Sequence, residues 1–110
     1  MDERYAETLE RLVDKIERSL DRPLSLDEIS REAGLSKYYL HRVFRAITGL
    51  PLAESVRRRK ISESLKPLFG SDRPIIDIAL DYGFSFEQSY IRAFRARYGM
   101  SPGQCRDERP

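Results

Sequence analysis

The segment LSLDEISREAGLSKYYLHRVFRAITG, residues 24–49, decides the fold of this chain. It predicts a short helix that ends at Gly34, a tight turn, and a second helix that Ser36 caps at its N-terminus. Apolar residues at helical spacing predict the inward side of the second helix: Leu40, Val43, Phe44 and Ile47. A short helix, a turn containing glycine and a second helix that crosses the first form the helix-turn-helix unit.

A second copy of this pattern, PIIDIALDYGFSFEQSYIRAFRARYGMSP, occupies residues 74–102. Its turn glycine, Gly83, follows Gly34 by 49 residues, whereas Arg92 follows Arg42 by 50, so the second turn contains one extra residue. Ser85 is predicted to cap the helix after that turn. Its inward side is predicted to consist of Tyr90, Ala93, Phe94 and Tyr98. Two copies of the pattern favour a tandem helix-turn-helix protein.

The rest of the chain also shows helical periodicity, and we find no alternating strand pattern of useful length. Residues 5–20 predict an amphipathic helix whose apolar positions are Leu9, Leu12, Val13, Ile16 and Leu20. A longer helix is predicted from about residue 52 to 68, with candidate apolar contacts at Ala53, Val56, Ile61 and Leu65. The predicted fold is therefore all-α, with helix-turn-helix subdomains at 1–51 and 70–110 joined by a linker helix at 52–69.

Charge is distributed unevenly along the 110 residues, although the net charge is only +2. Residues 1–34 carry a net charge of −4, residues 35–66 carry +6 and residues 67–110 carry none. A positive middle beside an acidic N-terminal helix is an oriented field that can select one docking face for DNA. A solvated surface of mixed charge is the alternative explanation of the same distribution.

Several other classes of protein are disfavoured by composition. No apolar run approaches the roughly 20 residues that span a bilayer, and the N-terminus lacks a signal region, so we expect a cytoplasmic protein without membrane contact. A single cysteine, Cys105, excludes an internal disulfide and a zinc cluster. We expect no enzyme activity, cofactor or metal, because the sequence has no phosphate loop and its single histidine, His41, has no carboxylate at helical spacing.

Both copies carry a family resemblance. Residues 24–49 resemble the first motif of the AraC/XylS family of transcription regulators, and residues 74–84 with 89–102 resemble its more distinctive second motif. The resemblance implies about seven helices in two subdomains bridged by one helix, with two recognition helices in successive major-groove segments. It also implies that a monomer reads an asymmetric site in double-stranded DNA. Activation through contact with RNA polymerase is the expected mode of regulation.

The first recognition helix has a basic and aromatic outward face. Its candidate DNA-contacting residues are Ser36, Lys37, Tyr38, Tyr39, His41, Arg42 and Arg45. Arg42 lies where relatives place a base-contacting arginine, and an arginine fork bonds guanine O6 and N7 together. Tyr38 is expected to lie against a thymine methyl or a sugar, and His41 either meets a base edge or is a solvated surface histidine. Ser36 and Lys37 begin the helix, a position that suits phosphate.

The second recognition helix is less basic. Its candidate DNA-contacting residues are Ser85, Phe86, Glu87, Gln88, Ser89, Ile91, Arg92 and Arg95. Arg92 repeats the position of Arg42, and Gln88 suits adenine. Glu87 either accepts from cytosine or repels the backbone. Phe86 either contacts thymine methyls or packs beside Tyr82, and we favour packing. We therefore expect the first helix to supply most of the base-specific affinity and the second to tune it.

The densest basic run is Arg57, Arg58, Arg59 and Lys60, and these four residues are candidates for contact with the DNA backbone. Because they sweep through most of a helical turn, they cannot all face DNA. One or two are expected to touch phosphate, and at least one is expected to pair with an acid such as Glu54 or Glu63. A solvated face is the alternative for any single member.

Three points stay open in the sequence. Cys105 stands where the family pattern has an aromatic residue, and a small core residue is favoured over a redox sensor there. The chain is alternatively the N-terminal DNA-binding module of a longer regulator whose ligand domain follows Pro110. A helical adaptor that binds protein without DNA is the third hypothesis, from a different functional class.

Overall fold

The computed structural model describes residues 3–22 and 25–110, and these residues form seven α-helices and no strand. The bounds are α1 Glu3–Arg18, α2 Leu26–Ala33, α3 Lys37–Thr48, α4 Leu52–Gly70, α5 Ile75–Asp81, α6 Glu87–Tyr98 and α7 Pro102–Asp107. The all-α prediction is confirmed, and α4 is the predicted long helix between the two helix-turn-helix units. No helix in these described residues has both the length and the apolar character that crossing a bilayer requires.

The first helix-turn-helix unit, α2 and α3, follows its sequence signals closely. Gly34 ends α2 in the left-handed conformation at φ 68°, which glycine adopts without a Cβ penalty. The Leu35 amide donates to the Ser30 carbonyl at 3.0 Å and closes the turn. Ser36 then caps α3, since its Oγ accepts from the Tyr39 amide at 3.1 Å. The predictions for Gly34 and Ser36 are confirmed.

The second unit, α5 and α6, repeats the turn but not the cap. Gly83 has φ 83°, and the Phe84 amide donates to the Ala79 carbonyl at 3.0 Å, which matches the first turn at an offset of 49. The prediction that Ser85 caps the second helix is wrong. The N-cap residue is Phe86, which offers no side-chain hydrogen bond, because the extra residue in this turn moves the start of α6 one position along the chain.

Two apolar clusters lie along α4. The first draws on α1 to α4 and consists of Leu12, Ile16, Leu20, Ile29, Leu40, Phe44, Leu52 and Val56. The second draws on α4 to α6 and consists of Ile61, Leu68, Ile78, Ala79, Tyr82, Tyr90 and Phe94. Leu40 and Tyr90, at equivalent positions of the repeat, are both fully buried. The helices α3 and α6 are therefore each anchored by an inward stripe, which leaves the opposite face in solvent.

Some residues predicted to face inward are exposed: Val13, Ile47 and Ala53. Ile47 is 67% exposed because Phe44 is the last α3 residue in the first cluster, and the final turn of α3 extends beyond it. Val13 and Ile47 instead line a shallow depression with Leu9 on the outer surface of α1 and α3.

The short α7 closes the second cluster. Ser101 Oγ accepts from the Gln104 amide at 3.1 Å, and Gln104 Oε1 accepts from the Ser101 amide at 3.0 Å, which forms a capping box. Arg106 donates from Nε to the Leu68 carbonyl at 2.9 Å and ties α7 to the end of α4. Cys105 is half-buried against the second cluster, as expected for a small apolar residue.

Candidate nucleic-acid interface

The exposed face of α3 carries an ordered aromatic and basic pair. The Tyr38 side chain is 72% exposed, and the guanidinium carbon of Arg42 lies 5.8 Å from its ring centroid. A cation over an aromatic face is attracted by the ring quadrupole, so Tyr38 restrains the direction of the Arg42 fork. Arg45 and Tyr39 are exposed on this helix, whereas His41 is half-buried. The predicted outward residues of α3 are therefore brought together on one surface.

The N-terminus of α3 is joined to α2 by an ion pair. Lys37 Nζ lies 2.6 Å from Asp27 Oδ1, and both side chains are largely exposed. This hydrogen bond and the charge of Lys37 lower the pKa of the Asp27 carboxyl from its ordinary value. To contact phosphate, Lys37 must therefore release the exposed Asp27 carboxylate and bind the phosphate in its place.

The outward face of α6 is less uniformly polar than that of α3. Arg92, Arg95 and Gln88 are exposed, while the remaining predicted residues within the helix are half-buried: Glu87, Ser89 and Ile91. Ser85 is exposed just before the helix. This helix thus presents fewer fully accessible polar groups than its sequence suggested.

The prediction that Phe86 packs beside Tyr82 is wrong, because Phe86 is 71% exposed. Phe84 takes the inward aromatic position instead, with its ring centroid 5.4 Å from that of Tyr90. Tyr82 is buried in the second cluster as well, and its hydroxyl donates to the Glu63 carbonyl at 3.2 Å. The exposed Phe86 ring therefore lies at the start of α6, where an apolar surface is available to a partner.

An open groove between α4 and α6 is lined by arginines from both helices. Arg57 and Arg58 line one side, and Arg92 and Arg97 line the other. Glu54 joins the α4 pair, with its carboxylate oxygens 2.6 Å from Arg57 Nη1 and 3.5 Å from Arg58 Nε. The predicted pairing of one basic residue with Glu54 is confirmed. The groove gathers positive charge beside the exposed side of α6.

Arg97 was missed from the sequence as a member of this groove. A sequence signal existed, because Arg97 follows Ala93 by four residues and so shares its side of α6. Both residues line the groove. Arg97 lies between the inward stripe and the outward face that the sequence pattern predicted for α6.

Arg59 points away from that groove, toward α1. Its Nε and Nη2 each lie 2.8 Å from a carboxylate oxygen of Glu17, and Nη2 lies 3.2 Å from Glu63 Oε1. The hydrogen bonds from Arg59 lower the pKa of the Glu17 carboxyl, and those same bonds raise the pKa of Arg59. Of the basic run, Arg57 and Arg58 are thus the members that share a surface with α6.

The prediction that Lys60 contacts phosphate is wrong. Its side chain is buried at 8% exposure, and its ammonium donates to main-chain carbonyls rather than facing solvent. Burial lowers the pKa of Lys60 from its ordinary value, and the charge of Asp21 opposes that shift. The sequence carried a signal for this burial, since Val56, Lys60 and Ser64 recur every four residues on the buried side of α4.

The described residues contain no cluster of three or more histidine, cysteine or acidic side chains arranged to hold a metal ion. The interface consists instead of exposed basic, aromatic and amide groups on two helices that follow matching turns. Such groups contact phosphates and base edges in DNA. Fold and surface together define a DNA-binding domain of the helix-turn-helix class.

Comparison with known proteins gives the family. A helix-turn-helix domain model matches residues 29–108. The transcriptional activator AarP of Providencia stuartii is 46% identical over 91 residues, covering 83% of this chain and 67% of AarP. The regulatory protein SoxS of Salmonella typhimurium is 33% identical over 102 residues, covering 93% of this chain and 95% of SoxS. The DNA-binding domain of AdpA, solved in complex with a target DNA, has the same fold, with a TM-score of 0.84 at 22% identity over 90% of this chain and 89% of that one.

The chain belongs to the AraC/XylS family of helix-turn-helix transcription regulators, as its two motifs predicted. It is a DNA-binding regulator of transcription and not an enzyme. This assignment argues against the hypothesis of a protein adaptor that does not bind DNA.

Proposed function

We propose that α3 and α6 are two recognition helices that enter successive major-groove segments on one face of duplex DNA. The observation that carries this proposal is the equivalence of Arg42 and Arg92, which are both exposed on helices that begin after matching turns. An arginine fork bonds O6 and N7 of guanine together, and each such contact discriminates strongly against other bases. Each helix thus offers one strong base contact at the same place in the repeat.

The contacts around these two arginines follow from position and charge. Ser36 and Lys37 at the start of α3 suit phosphate, because a helix N-terminus attracts anions. Arg57 and Arg58 suit the phosphates that lie between the two major-groove segments, since they flank the groove beside α6. These phosphate contacts set the register of the protein on DNA and carry no sequence information directly.

Base edges around the arginine contacts are read by neutral and aromatic side chains in this proposal. On α3, Tyr38, Tyr39 and His41 face the bases, and Arg45 extends the contact along the groove. On α6, Gln88 suits adenine, while the exposed Phe86 suits thymine methyls now that it is not packed in the core. The remaining members of this α6 set are Ser85, Glu87, Ser89, Ile91 and Arg95.

The two helices are unequal in this proposal. The face of α3 is basic and aromatic, and its Arg42 is oriented by Tyr38. The face of α6 includes Glu87 and two apolar residues, Phe86 and Ile91. We therefore assign most of the base-specific affinity to α3 and a tuning role to α6.

The shape of the molecule supports binding as a monomer. Its longest extent is 49 Å, which exceeds the ~34 Å that separates successive major-groove segments on one face of B-DNA. One chain can therefore carry both contacts and read an asymmetric site. We further propose that it works in the cytoplasm as an activator that contacts RNA polymerase, in keeping with the description of AarP as an activator.

The hypothesis that a ligand domain follows Pro110 in a longer regulator stays a prediction. Sequencing the parent gene beyond Pro110 tests it, because an in-frame stop codon directly after that residue contradicts it. The proposed roles of α3 and α6 hold in either case.

Selection of binding sites from a random duplex library tests the proposed function directly. The expected result is an asymmetric site with two preferred base blocks about one helical turn apart, bound by one chain per duplex in sedimentation velocity. Failure to retain any duplex at low salt contradicts DNA recognition by this chain. A palindromic site occupied by two chains contradicts the monomeric mode.

A further inference from the structure

A buried cation, Lys60, lies where the two halves of the molecule meet. Lys60 is in the middle of α4, and its Nζ donates to the Leu20 carbonyl at 3.2 Å, the Arg22 carbonyl at 2.6 Å and the Tyr82 carbonyl at 2.9 Å. An ammonium group has three donors, so all three are matched. A buried charge requires such complete pairing, because a buried charge without partners strongly destabilises the folded protein.

The three carbonyls come from both halves of the molecule. Leu20 and Arg22 lie in the turn after α1, and Leu20 belongs to the first apolar cluster. Tyr82 is the C-cap residue of α5, immediately before Gly83 and the turn into α6. Helix C-termini carry partial negative charge on their free carbonyls, which favours a cation there. Lys60 therefore links the turn after α1, the linker helix and the second turn at one point.

Apolar packing does not fill this region. A cavity of about 330 Å³ separates the two units beside Lys60, and its walls include Leu26 and Ile29 from α2 and Phe84 from the second turn. The two apolar clusters hold each unit together, but neither cluster closes this cleft. Lys60 therefore supplies a polar link between the two halves beside a cleft that apolar packing leaves open.

We infer that Lys60 is a positioning residue that fixes the distance and angle between α3 and α6, and thereby sets which spacing of the two base blocks the protein accepts. This inference rests on the proposed function, in which both helices enter DNA. One inserted base pair shifts the second block by ~3.4 Å and rotates it by about a tenth of a turn. A rigid link between the units converts that displacement into a lost contact.

The test compares Lys60→Met with Lys66→Met on selected duplexes whose two base blocks are at the native spacing, one base pair closer or one base pair farther apart. Methionine keeps length and apolar bulk without donors, and Lys66 is an exposed lysine on the same helix. For wild type and Lys66→Met, we expect a loss of about a hundredfold off the native spacing, which corresponds to one lost bidentate base contact. For Lys60→Met, we expect that ratio to fall to about tenfold or less.

If Lys60→Met is folded by circular dichroism and discriminates spacings as wild type does, the inference is overturned. If the wild type itself shows no spacing preference, the proposed function fails instead, so the two failures are distinguishable. If Lys60→Met does not fold, a measurement on the wild-type protein still tests the inference. The Lys60 ammonium protons should exchange with solvent much more slowly than those of Lys66 in NMR spectra, and equal exchange rates would overturn the inference.

Discussion

Arg42 and Arg92 occupy one position in the two halves of the repeat, but their surroundings differ. Arg42 lies over the Tyr38 ring, whereas Arg92 lines the groove opposite Arg57 and Arg58. A fork held in place loses less side-chain entropy when it binds a base. The like charges near Arg92, in contrast, favour binding to any nearby phosphate regardless of the base sequence. At the scale of single residues, specificity is therefore expected to be concentrated at Arg42.

We predict that Arg42→Ala and Arg92→Ala each weaken binding to the selected site by about 1–3 kcal/mol, with the larger loss for Arg42→Ala. Fluorescence anisotropy on the selected duplex and on a scrambled duplex measures both. Binding to the scrambled duplex should change less, because phosphate contacts supply most nonspecific affinity. Arg11→Ala on α1 is the matched control, and wild-type affinity in both interface variants would contradict the assignment.

At the scale of elements, the ion pair between α1 and α4 predicts an acid dependence of stability. Arg59 lowers the pKa of the Glu17 carboxyl in the folded state. The stabilisation is therefore fully present above the ordinary glutamate pKa of about 4.3. It is lost as the pH falls through the lower folded-state value. Because both side chains are about two-fifths exposed, we expect about 1 kcal/mol or less from this pair.

Urea unfolding of wild type and Glu17→Gln at pH 7 and pH 3 checks this dependence. The free energy of unfolding of the variant should lie below that of wild type at pH 7, and the gap should narrow at pH 3. Glu7→Gln removes the same charge from an exposed position of α1 and serves as the control. If the difference in free energy of unfolding widened at low pH, the expected direction of the pH dependence would be wrong.

The basic run on α4 gives a second prediction at the scale of elements. Arg58 faces the groove beside α6, whereas Arg59 is bound by Glu17 on the other side of the helix. We expect Arg58→Gln to reduce the slope of log K against log salt by about one, and Arg59→Gln to leave it unchanged. Anisotropy titrations at several salt concentrations measure both slopes. Equal slopes for the two variants would contradict this division of the run.

Helical periodicity and glycine signals were enough to predict the elements of the fold, since Gly34, Gly83 and the stripe around Leu40 act locally. The errors arose where the answer depends on distant packing. Ile47 has a core-like spacing, but Phe44 is the last α3 residue in the first cluster. Where the core ends along α3 depends on which helices pack against it. The periodicity of a single helix carries no information about those partners.

Errors in the interface have the same origin. Phe86 was expected to pack beside Tyr82, but Phe84 takes the inward aromatic position. The repeat, whose second turn contains one extra residue, did not reveal which aromatic side chain faces inward. The position of Lys60 at the end of a basic run predicts contact with a DNA phosphate. The carbonyls that bind its ammonium instead lie 22 to 40 residues away in sequence. Contacts at that separation follow from the tertiary fold and not from the local pattern.

At the scale of the whole molecule, two units with separate apolar clusters are carried on one helix, α4. The longest extent of the molecule, 49 Å, exceeds the ~34 Å between successive major-groove segments, and the basic run lies on the linker between the units. In the proposed function, this arrangement lets one polypeptide present two different recognition surfaces. We therefore expect an asymmetric DNA site, because the two surfaces are related in sequence but differ in side chains.

Protection of guanine N7 from dimethyl sulfate on the selected duplex tests the central claim most directly, because arginine forks bond that atom. Recognition by two helices predicts two protected patches about one helical turn apart on one face of the DNA. Arg42→Ala should remove protection in one patch, and Arg92→Ala should remove it in the other. A single protected patch, or two patches that both depend on Arg42 and neither on Arg92, would contradict recognition by two helices.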